Sequence, residues 1–100
     1  MTIRFHPLAR IEIDDAIDYY RAISPRLANR LRDELDAIFQ EIAVTPTRWG
    51  YYEPLAPHKR WRRRLTSGFP YLVIYEEVPS GVRVVAVPHA ARRPGYWRNR

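Results

Sequence analysis

Residues 61–100 read WRRRLTSGFPYLVIYEEVPSGVRVVAVPHAARRPGYWRNR. Two apolar runs, Tyr71–Tyr75 and Val82–Val87, are rich in Val, Ile and Tyr and short enough to be strands. Between them lies Glu76-Glu77-Val78-Pro79-Ser80-Gly81, whose Pro-Ser-Gly end is turn chemistry, so the pair reads as a β-hairpin. A third run, Trp61–Thr66, precedes it across Ser67-Gly68. The pattern predicts a three-strand antiparallel meander.

Working outward, Thr2–His6 alternates, with Ile3 and Phe5 on one face, and predicts a first strand. Pro7 suits the first turn of a helix. Apolar residues then recur at Ala9, Ile13, Ala16, Ile17 and Tyr20, helical spacing that predicts a helix from about Leu8 to Arg21 or Ala22. Asp14, Asp15 and Asp18 fall off that stripe and are expected to face water. Ser24-Pro25 restarts a helix, with Ser24 as N-cap and Pro25 at its first position. The second stripe is Leu27, Leu31, Leu35, Ile38 and Ile42, widened by Phe39, and Arg30–Glu34 is an i,i+4 pair. Thr45-Pro46 ends this helix, because a residue before proline is pushed from helical dihedrals. The connector Thr47–His58 carries Trp49, Tyr51 and Tyr52, and Trp49 is expected to lid the core edge. The order is strand, two-helix hairpin, three strands. That is an α+β fold of one domain over residues 1–100, helices on one face of a mainly antiparallel sheet. The other face, or its edge, is left for function.

One hundred residues suffice for a self-sufficient core, and the absence of cysteine removes disulfides and thiolate metal sites. No apolar run approaches the ~20 residues of a membrane span, and no signal-peptide pattern opens the chain, so a cytoplasmic protein with no membrane partner is expected. The net charge of +6 is segregated. Residues 1–57 hold 7 basic and 9 acidic side chains, net −2, and residues 58–100 hold 10 and 2, net +8. This predicts a strongly positive face suited to nucleic acid, an acidic protein segment or a ribosome.

Two motifs carry candidate chemistry. In Lys59-Arg60-Trp61-Arg62-Arg63-Arg64, strand alternation puts Arg62 and Arg64 on one face. Trp61 and Leu65 are expected to point into the core, leaving Arg62 and Arg64 on the open face, where their forks match phosphates or carboxylates. The structural alternative is an edge strand blunted by charge. In the second motif, residues 88–97, regular alternation would group Arg83, Val85, Val87 and His89. Histidine exchanges protons near neutral pH. A metal-free phosphodiester site can be drawn with His89 as base, Arg92 and Arg93 on the charged transition state, and Tyr96 donating to the leaving group. Spacing alone favours a plainer reading, in which His89 caps the strand and Tyr96-Trp97 pack on the core edge. His6, His58 and His89 have no metal-ligand spacing, and no cofactor is implied.

The order of elements, with HPLARIEIDDAIDYY, SPRLANRLRDELDAIFQEIAVTP, FPYLVIYEE and VVAVPHAARRPGYWRNR, resembles the RelE/ParE superfamily of bacterial type II toxins over nearly the whole chain. The resemblance implies a growth-inhibiting toxin neutralised by a cognate antitoxin, in a hetero-oligomer with it. RelE-like members are ribosome-dependent mRNA endonucleases, and ParE-like members poison DNA gyrase without being known enzymes. The RelE basic pair matches Arg62 and Arg64, and its tyrosine matches Tyr96. Two further RelE arginines fall where this chain has Leu72 and Ala90. Those departures and the ParE-like ending favour gyrase. On that reading Arg62, Arg64, Arg83, His89, Arg92, Arg93 and Tyr96 form a binding face. The nuclease alternative makes His89, Tyr96, Arg62 and Arg64 catalytic. A degenerate member that only binds its antitoxin is a third reading.

Overall fold

The computed structural model describes residues 2–52 and 60–100. Pro54, Pro57, His58 and Lys59, singled out in the connector and the first basic motif, lie outside the described residues. Strand β1 (Thr2–Phe5) leads into helices α1 (Pro7–Ile23) and α2 (Pro25–Val44), followed by β2 (Arg62–Leu65), β3 (Leu72–Val78) and β4 (Gly81–Ala86). Among the described residues the strands form one sheet in the order β1-β4-β3-β2. The C-terminal meander is antiparallel as expected, and β1 joins it parallel to β4, with Ile3 opposite Val82 and Phe5 opposite Val84. That join demands glycine at position 81, where φ is +150° and a Cβ would collide with the backbone of Thr2.

The helix ends follow local chemistry. Pro7 sits in the first turn of α1, and the His6 ring caps it by accepting from the Leu8 N–H at 3.0 Å. Ser24 occupies both the end of α1, its N–H donating to Tyr20, and the start of α2. Ser24 is the N-cap of α2 with Pro25 opening the helix, as expected, although the Ser24 hydroxyl makes no cap bond. Nor does Glu34 pair along the helix with Arg30. Its carboxylate instead accepts from the N–H groups of Ser67 (2.6 Å) and Gly68 (3.1 Å), bracing the β2–β3 turn against α2.

The helices bury Ala9, Ile13, Ala16, Ile17, Leu31, Leu35, Ile38 and Ile42 against Val73, Tyr75, Val82, Val84 and Val87. Trp49 packs on the edge of this core, as expected. The opposite face of the sheet is not open. Tyr52, Trp61, Ile74, Val85, Ala86 and Trp97 form a second buried cluster there, Trp97 being 1% exposed.

This second layer reverses the expected orientation of β2. Trp61 is buried on the face away from the helices, and Leu65 is exposed. Arg62 and Arg64 therefore lie on the helix side, opposite Tyr75 and Val73. Regular alternation in β4 fails as well. Ile74 pairs with Ala86 and Tyr75 with Val84, which leaves Val85 as an extra residue, a β-bulge. Arg83 and Val85 face away from the helices, whereas Val87 returns to the helix side. His89 follows Val87, its ring 5.5 Å from that of Tyr71. The expected grouping of Arg83, Val85, Val87 and His89 is thus split by one inserted residue.

Candidate functional site

The candidate residues divide into three groups. Arg62 is 12% exposed and fully engaged: Nε donates to Glu77 (3.0 Å), Nη1 to the Trp49 carbonyl (2.6 Å) and Nη2 to the Tyr51 hydroxyl (3.1 Å). Arg64 reaches Glu41 on α2 at 3.2 Å and stands beside the Trp49 ring. These two arginines clamp the segment after α2 onto the edge strand β2. Across the sheet, Arg83 donates to Glu76 (3.0 Å) and to the carbonyl of Arg100 (3.2 Å), and Arg60 shares Glu76 at 3.4 Å. Strand alternation therefore spreads the basic half over both faces rather than one.

The third group gathers around a residue that sequence reasoning missed. Glu12, on the flank of the α1 stripe, has a side chain 12% exposed. It accepts from the Val87 N–H (2.9 Å), the Tyr96 hydroxyl (2.7 Å) and both Nη atoms of Arg100 (3.2 and 2.9 Å). Arg92 lies 3.9 Å from the same carboxylate and 3.9 Å above the Tyr96 ring. Burial alone would push the Glu12 carboxyl up; the hydrogen bonds from Arg100, Val87 and Tyr96, with the Arg100 charge, outweigh it and hold the group below the usual carboxylate range. Burial, reinforced by the hydrogen bond to Glu12 and its charge, pushes the Tyr96 phenol well above the usual tyrosine range. A position flanking Ala9, Ile13 and Ala16 was the available signal for Glu12, but its partners are 75 to 88 positions away.

His89 is exposed, and its Nδ1 accepts from the Ala91 N–H at 3.0 Å. Arg93 is exposed with no acidic partner among the described residues. His89 and Arg92 line one side of a groove of about 460 Å³ whose other wall is Asp15, Tyr19 and Tyr20 of α1, with Tyr71 also in its lining. The structure thus brings Arg92 and Tyr96 together on Glu12, with His89 lining the same groove, and separates them from Arg62 and Arg64 on β2 and from Arg83 on the opposite face. Among the described residues no three His, Asp or Glu come together in a metal-holding group, and no helix is long and apolar enough to cross a membrane.

One observation decides the kinship. The family model described as "ParE toxin of type II toxin-antitoxin system, parDE" matches residues 3–94. The chain belongs to this family. Membership of this family implies a cognate antitoxin as partner. The match runs through α1, the β3–β4 hairpin and the Arg92–Arg93 turn, and its span includes Glu12, His89 and Arg92. None of the curated proteins matches the chain.

Proposed function

We propose that this ParE-family toxin inhibits growth by binding and poisoning DNA gyrase in the cytoplasm, without catalysing a reaction itself. The observation that carries this reading over RNA cleavage is the state of Tyr96. A general acid must release its proton to a leaving group, and the ideal acid has a pKa near the working pH. The Tyr96 hydroxyl donates instead to Glu12, and its phenol is pushed upward. The two arginines the nuclease would need on β2 are also engaged, Arg62 with Glu77 and Arg64 with Glu41. Both facts support a surface that binds rather than one that reacts.

The test is brief induction in a bacterium lacking the antitoxin, with pulse-labelling of new DNA and new protein. DNA synthesis is expected to stop first, with rising DNA damage. In the same assay His89→Ala is expected to change toxicity by less than about tenfold, since removing a general base costs about 10²–10⁴-fold. Protein synthesis stopping first, together with loss of toxicity in His89→Ala, would establish the mRNA nuclease instead.

A further inference from the structure

The groove between α1 and the β4 end is a built site rather than a gap between elements. Tyr19, 63% exposed, stands at its rim, with Tyr20 beside it at 5.1 Å between ring centroids. Tyr20 meets Tyr71 at 6.4 Å, and Tyr71 meets His89 at 5.5 Å. This gives an aromatic lining braced by its own edge-to-face contacts.

Charge counting identifies what is unsatisfied beside it. Glu12 carries one negative charge and faces two arginines. Arg100 takes that charge with two hydrogen bonds and spends a third on the Val85 carbonyl. Arg92, more distant at 3.9 Å and 55% exposed, keeps only that long pair among the described residues and makes none with Asp15 across the groove, its guanidinium propped over the Tyr96 ring. His89 adds a donor. Its Nδ1 accepts from Ala91, which assigns the proton of the neutral ring to Nε2. Asp15 on the opposite wall repels a second anion.

We infer that this groove takes a short peptide segment of the antitoxin, an acidic residue on Arg92 and His89 beside an apolar or aromatic side chain among Tyr19, Tyr20 and Tyr71. The inference rests on the toxin–antitoxin reading and assigns the segment's seat within it. Nucleic acid fits less well. A phosphodiester backbone calls for a row of cations and bases call for open platforms. The groove's lining holds one loosely paired arginine, an acidic wall, and rings standing at 73–90° to one another. A single carboxylate next to an apolar side chain satisfies all three features.

The experiment is calorimetric titration of the full chain with its cognate antitoxin, alongside fluorescence anisotropy with a labelled oligouridylate. Arg92→Ala and Tyr19→Ala are each expected to weaken antitoxin binding about tenfold, and Arg92→Glu about a hundredfold. Arg26→Ala, exposed on α2 away from the groove, serves as the control and is expected to stay within about twofold. Amide spectra of the wild-type chain with and without antitoxin read the groove without any variant, with changes expected at Tyr71 and His89. Unchanged affinity in all groove variants, or unmoved Tyr71 and His89, overturns the assignment while the toxin–antitoxin reading stands. Failure of the wild-type chain to bind the antitoxin overturns both. Groove variants that lose oligouridylate and keep antitoxin overturn it in favour of RNA.

Discussion

Glu12 and Arg100 meet through two hydrogen bonds, Nη1 to Oε1 at 3.2 Å and Nη2 to Oε2 at 2.9 Å, across 88 positions of sequence. Both side chains are only 12% exposed. The pair fastens α1 to the segment that carries Trp97 over the sheet. Removing one partner strands the other charge in a half-buried setting, which costs roughly 2–4 kcal/mol, somewhat below the range for fully buried pairs. Arg100→Ala is expected to show that loss in urea unfolding, and Glu12→Gln combined with Arg100→Ala to lose less than the two single losses added.

The same carboxyl makes stability depend on acid. Its folded-state pKa lies below the ordinary value of 4.5, so the unfolded chain binds the proton first. The contribution is complete above about pH 4.5 and fades as pH falls through that value towards the depressed one. The stability gap between the wild-type chain and Glu12→Gln is expected to be flat from pH 7 to 5 and to shrink below 4.5. Thermal melts at a series of pH values measure it.

Gly81→Ala is expected to be among the most damaging small substitutions. The added methyl meets the backbone of Thr2, which has no room to retreat while β1 stays paired, and φ of +150° is itself strained for alanine. A loss of about 3 kcal/mol is expected, with faster amide exchange in Thr2–Phe5 than in α2.

Trp97→Ala opens a cavity over Ile74 and Val85 in the second core, and should cost about 3–5 kcal/mol. Trp97→Phe keeps much of the volume and also removes a buried indole N–H that has no partner. It is expected to recover most of the loss, as read by denaturant midpoints.

Tyr75 provides an alkaline marker. Its hydroxyl donates to the Pro46 carbonyl at 2.6 Å, and burial pushes its phenol up to about 12. Absorbance titration is expected to show a phenolate appearing near pH 12 that Tyr75→Phe removes. The raised value means the folded state holds the proton longer, so this contribution to stability is intact below pH 10 and declines between 10 and 12.

The elements themselves were legible because they rest on local chemistry. Pro7 and Pro25 start the helices, the stripe from Leu31 to Ile42 gives the buried face, and Pro79-Ser80-Gly81 turns the hairpin. The facing of side chains was not. Trp61 points away from the helices because Trp97 and Tyr52 build a second core there, and a short tail gives no periodicity to announce a core. The candidate site was half legible. His89, Arg92 and Tyr96 are close in sequence, whereas Glu12, the carboxylate that holds Arg92 and Tyr96, lies on a helix more than seventy positions away. Arg62 and Arg64 read as free cations because Trp49, Glu41 and Glu77 reach them only through the fold.

The extra residue in β4 also bears on how this chain should be aligned with its relatives. The bulge absorbs one residue: Val84 faces the helices, Val85 and Ala86 both face away, and Val87 faces the helices again. A one-residue gap at Val85, set against a relative with a regular strand, therefore keeps Ala86 and Val87 on their own sides of the sheet. An ungapped alignment to such a strand would instead match Val87 and His89 with letters that describe the side of Trp97.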